Sequence, residues 1–92
     1  MSEEISEFEE ILRHGGSASF IYKDVTYSLQ PTYDANNLII KDSYDIWCHP
    51  NDTEGSIIYH SASIDALFDG KCFDGQSFRE IINLIENPEL FT

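Results

Sequence analysis

Two alternating runs mirror each other about Lys23-Asp24, and that symmetry constrains the fold of this chain more than any other feature. A two-residue turn there sets Tyr22 opposite Val25, Phe20 opposite Tyr27 and Ala18 opposite Leu29. All six then share one face of a hairpin, with Ser19, Ile21, Thr26 and Ser28 on the other, because side chains alternate along a strand. Lys-Asp is a weaker turn signal than Asn-Gly, so the register rests on the alternation itself. A hairpin with one apolar face belongs to an antiparallel sheet covered by helices on that face.

The flanking sequence supplies the helices. From Ser2 to His14, Ile5, Phe8, Ile11 and Leu12 fall on one helical arc, with Ser2 as N-cap and Gly15-Gly16 as the stop. Gln30-Pro31 to Asn37 reads as a loop. Leu38 to Ile40 begins a third strand, and Tyr44 to His49 is a further strand or the same one continued across a bulge. After a polar turn from Pro50 to Gly55, Ser56 to His60 reads as another strand. Ser61 or Ser63 caps a short helix through Phe68. Asp74 caps a last helix carrying Phe78, Ile81, Ile82 and Ile85, which Asn87-Pro88 ends. The expectation is a single α+β domain over residues 1–92. Its antiparallel sheet has four to five strands, with the N-terminal helix and two C-terminal helices packed on one face.

Charge limits what such a domain can bind. Seventeen Asp and Glu face five Lys and Arg, for a formal net charge of −12. Nucleic acid itself is repelled, whereas a basic protein is attracted and steered by complementary potential. Proteins that neutralise phosphates are the most abundant basic partners. Glu3, Glu7 and Glu10 form a carboxylate row on the polar face of the first helix, and Tyr33 is the aromatic best placed for exposure, in a Pro/Asn-containing loop. Tyr44, Trp47, Tyr59 and Phe91 are further aromatics open to partner contact, although Trp47 is more readily the sheet's core aromatic. The start of the chain carries no secretory pattern and no apolar run is long enough for a membrane span, so a cytoplasmic protein with reduced thiols is expected.

Rare residues gather between Tyr44 and Pro50 and at two later positions. Cys48, His49, His60 and Cys72 make up the two-thiolate, two-imidazole set that structural zinc prefers. The spacing lacks a Cys-x-x-Cys knuckle, so convergence depends on pairing between 44–49 and 56–60. If His49 pairs with Ser56, Asp45 faces His60 on the side of His49 and Cys48 points away; a one-residue slip moves Cys48 to the side of His60. The same geometry argues against an enzyme. Adjacent Cys48 and His49 face opposite ways, and no phosphate loop or His-Glu-x-x-His is present.

Two stretches carry a resemblance. Phe20 to Leu29 resembles the F-x-Y-x-x-x-x-Y-S-hydrophobic hairpin of small acidic proteins from Firmicutes and their phages. Phe73 to Ile82 resembles the D-G-x-S-hydrophobic-R-E-I helix start of the same proteins. In size and acidity the chain is also similar in kind to anti-CRISPR proteins, which inhibit the type II RNA-guided nuclease; some of these contain metal. That similarity implies an inhibitor that binds a basic CRISPR effector nuclease and blocks its DNA. The alternatives are an immunity protein or antitoxin against a basic toxin nuclease, and a small metal-binding domain.

Overall fold

The hairpin forms in the register that the alternation requires. The computed structural model describes residues 2–52 and 54–91, less the side chains at 2–4 and 52. Strands β1 (Ser17–Tyr22) and β2 (Val25–Tyr33) pair with Ala18 opposite Leu29, Phe20 opposite Tyr27 and Tyr22 opposite Val25. Lys23 and Asp24 have φ of 50° and 65°. Both therefore sit in the left-handed region, as in a type I′ turn, whose twist matches that of the strands it joins. For residues other than glycine that conformation costs about 1–2 kcal/mol each. Lys23 Nζ lies 3.1 Å from Asp74, which ties the turn to a later segment.

Beyond the turn, β2 runs further than expected. It continues through Pro31 to Tyr33 where a loop was expected, and Pro31 is buried opposite Tyr44. Proline has no N–H for the ladder, and the register shifts between Pro31 and Tyr33. The third strand, β3 (Ile39–His49), is the same strand continued across an irregularity between Ile39 and Tyr44, the second of the two expected forms, and β4 (Ser56–Ser61) pairs with its second half.

The C-terminal part departs most from expectation. Helix α2 (Ile64–Asp69) is capped by Ser63, whose side chain accepts from the Ala66 amide. Asp74 caps nothing; with Gly75 it forms a left-handed turn between Phe73 and Gln76. Ser77 and Glu80 form a reciprocal capping box that starts α3 (Phe78–Ile81). That helix is a single turn. The chain then reverses and Glu86–Phe91 becomes β5, paired antiparallel with β1. Pro88 therefore sits in an edge strand, where a missing N–H is tolerated, rather than ending a helix.

The five strands run in the order β4-β3-β2-β1-β5. Helix α1 (Ser2–Arg13), α2 and α3 cover one face, burying Phe8, Leu12, Phe20, Leu29, Ile46, Leu67, Phe68, Phe73, Phe78 and Ile81. Phe20 is the hub, with ring centroids 5.7 Å from Tyr27, 5.8 Å from Phe73 and 5.2 Å from Phe78. No helix among the described residues is long and apolar enough to cross a membrane.

Gly16 joins α1 to the sheet at close range. A Cβ there would stand 2.2 Å from the Phe91 carbonyl oxygen, so only glycine fits. Gly16→Ala is expected to lift β5 from β1, and amide exchange should then accelerate selectively in residues 86–91. Phe78→Ala should instead destabilise the whole domain, by about 3–5 kcal/mol in denaturant unfolding.

Candidate partner-binding surface

The pairing of β3 with β4 decides where the histidines and cysteines go. Asp45 faces His60, but a bulge follows, and Trp47 then faces Ile57 and Cys48 faces Ser56. Cys48 is also opposite Tyr27, on the helix-covered side, while His49 lies beyond it on the open side with Asp45 and His60. Cys72 is half-buried against the core behind Gly70. The structure therefore does not bring Cys48, His49, His60 and Cys72 together. No group of three His, Cys, Asp or Glu suited to a metal occurs among the described residues. Burial also pushes the Cys72 thiol up to about 11, away from the thiolate that zinc needs.

Each open-face histidine has its own partner. His49 Nδ1 lies 2.9 Å from the Glu54 carbonyl oxygen, which can only accept, so Nδ1 carries the proton. In the neutral ring Nε2 then accepts from Ser28 Oγ at 2.9 Å. This is the bond of a nucleophile and its base, but it lies on a sheet face, and neither Ser28 nor His49 lines the concavities at Ser19–Ile21, at Ile39–Asp42 or beside Glu7 and Glu10. What the bond achieves is orientation: the His49 ring lies nearly parallel to Trp47, with centroids 6.3 Å apart. His60 Nδ1 meets Asp45 Oδ1 at 2.7 Å, and Asp45 is only 3% exposed.

Trp47 thus lies on the open face, outside the hydrophobic core, with a buried Nε1 that has no hydrogen-bond partner among the described residues. The bulge places two successive isoleucines opposite it. Tyr59 points to the helices with Ile46, so Ile58 points away, and Ile57 pairs with Trp47. Both are exposed, at 49% and 39% for Ile57 and Ile58.

Charge is distributed unevenly around these patches. Four of the five basic side chains are held by carboxylates: Arg13 by Glu9, Lys23 by Asp74, Lys71 by Glu80, and Arg79 by Asp69. Lys41 has no carboxylate partner among the described residues. Glu7 and Glu10 are exposed on α1 and, with Ser6, border a shallow groove floored by Ile11 and Leu90. Glu10 also reaches His14 at 3.5 Å. The side chain of Glu3 lies outside the described residues.

Tyr33 is 44% exposed, and its setting is more apolar than the sequence indicates. It pairs with Ile39, and Leu38, Ile39 and Ile40 are exposed beside it at the tip of the β2–β3 hairpin. The consecutive apolar run suggests a buried strand. It stays exposed because β4 reaches only as far as Tyr44 along β3. No periodicity in the run signals this.

Two outcomes are expected. Protein purified without a histidine tag should carry no stoichiometric zinc, and EDTA should leave its melting temperature unchanged. The raised Cys72 pKa makes a stability contribution present below pH 9, the ordinary thiol value, and lost as pH rises through about 11. Unfolding measured from pH 8 to 11 should show a steeper alkaline decline for the native chain than for Cys72→Ala. No protein-family model, no curated protein and no solved structure matches the chain.

Proposed function

We propose that this chain is a stoichiometric inhibitor that binds a basic nucleic-acid-handling protein and occupies the channel meant for nucleic acid. A type II CRISPR effector nuclease is the first candidate partner and a basic toxin nuclease the second. The observation that carries the reading is the uncompensated carboxylate surface. Arg13, Lys23, Lys71 and Arg79 are each paired with a carboxylate of the chain, and the carboxylates left over dominate the net −12 that a partner meets.

Glu7 and Glu10 on a groove with an apolar floor suit a segment carrying lysine or arginine beside an apolar side chain. The carboxylates steer approach and select for a basic surface. The apolar floor and the Tyr33 cluster supply burial, from which most net affinity comes. The inhibitor competes with DNA by charge and by bulk, and no bond in the partner need be made or broken.

The two contributions separate in kinetics. Glu7→Lys with Glu10→Lys should slow association by about tenfold or more at low salt and flatten its salt dependence. Tyr33→Ala should chiefly speed dissociation, at a cost of about 1–2 kcal/mol in affinity. Surface plasmon resonance against immobilised nuclease, with and without bound DNA, reads both. Failure to bind either class of nuclease at low salt, or inhibition untouched by the double reversal, would overturn the reading.

A further inference from the structure

We propose that the free edge of β4 is where two copies of this chain pair, joining their sheets edge to edge. The sheet has two edges, β4 and β5, and of the two β5 is the more heavily protected. Strand β5 carries Glu86, Pro88 and Glu89 and an irregular register with β1. Those are the devices that keep an edge from recruiting another strand. Strand β4 reads Ser-Ile-Ile-Tyr-His-Ser, without Asp, Glu, Lys, Arg or Pro. Among the described residues, no backbone hydrogen bond from a turn, loop or helix reaches 56–61. Helix α2 follows β4 closely, but it packs on the inner face through Tyr59, whose hydroxyl donates to the Ala66 carbonyl.

The chemistry of this edge selects its occupant. A basic partner is recognised through carboxylates, and β4 offers none. A second copy, itself at −12, is repelled wherever its carboxylates meet those of the first. Pairing through β5 would bring Glu86 and Glu89 of both copies to one seam. Antiparallel pairing of β4 with its own copy sets no like charges opposite each other. A strand paired antiparallel with itself also makes a closed two-fold contact. The bulge at Ile57 and Ile58 shortens the regular ladder such a pair can form. It also keeps both isoleucines on the open face next to Trp47, so the seam buries apolar side chains as well as satisfying backbone groups.

Sedimentation of the purified protein, with no partner present, tests the pairing. The expected result is a concentration-dependent dimer that tightens as salt screens the repulsion between copies. That is the opposite sign to the salt dependence of binding a basic partner, so the two readings fail separately. Ile58→Lys, and independently Ile57→Lys, should raise the dimer dissociation constant by tenfold or more with circular dichroism unchanged. Glu89→Lys on β5 should not weaken the dimer. A monomer persisting at about 1 mM in high salt overturns the proposal. So does a dimer indifferent to both lysines, or one disrupted by the β5 change.

Discussion

Everything in this fold depends on covering one face of a single hairpin. Ala18, Phe20, Tyr22 and Leu29 are nearly inaccessible to solvent, and Phe73 and Phe78, from a segment some fifty residues later, close over Phe20. A chain of this length buries a modest fraction of its surface, so an aromatic cluster supplies much of the apolar area available. The polar ties follow the same path. Tyr22 donates to Gln76, and Lys23 pairs with Asp74, so the turn after α2 is pinned to the hairpin it covers.

The same economy leaves the opposite face of the sheet open, and the polar character of Ser19, Thr26, Ser28 and Gln30 suits it to water. The apolar exceptions are Ile21, Ile57, Ile58 and, largest of them, Trp47. It lies flat beside His49, which Ser28 and Glu54 hold in place, and a left-handed Gly55 makes the room: a Cβ there would lie 2.4 Å from the His49 ring. A cluster of residues that looks reactive in the sequence thus works as a brace for an aromatic on an uncovered surface. The acidic surface is shaped by a similar internal use of charge. Arg13, Lys23, Lys71 and Arg79 each neutralise a carboxylate of the chain, and the rest of the acidic excess stays uncompensated. Repulsion among them opposes compaction, and it also restricts where another molecule of either sign can approach.

Period and punctuation made the hairpin, α1 and α2 legible from the residues alone: strict alternation about Lys23-Asp24, an apolar arc ended by Gly15-Gly16, and a serine before Ile64-Asp65. Acidity, too, is a property of composition. The C-terminal strand was hidden because Ile81, Ile82 and Ile85 fit helical spacing as well as they fit a one-turn helix followed by a reversal. Asn87-Pro88 marks the end of a helix and an edge strand equally well. Local sequence could not choose between them; the vacant edge of β1 did.

The candidate metal set depended on something even less local. Cys48 and His49 face opposite ways in any strand, so the sequence by itself already separated them. Whether His60 joined one or the other depended on the pairing of β3 with β4, where a single-residue bulge changes the register midway. A bulge of that kind carries no residue signature here, since Ile57-Ile58-Tyr59 would fit an unbroken strand. The sequence determined the hairpin, the helix-covered face and the sign of the surface, because these follow from side-chain periodicity and charge. Long-range pairing set the fifth strand, the dispersal of the cysteines and histidines, the placing of Trp47 on the open face and the exposure of Ile57 and Ile58. Those depend on which backbone groups find partners across long stretches of chain.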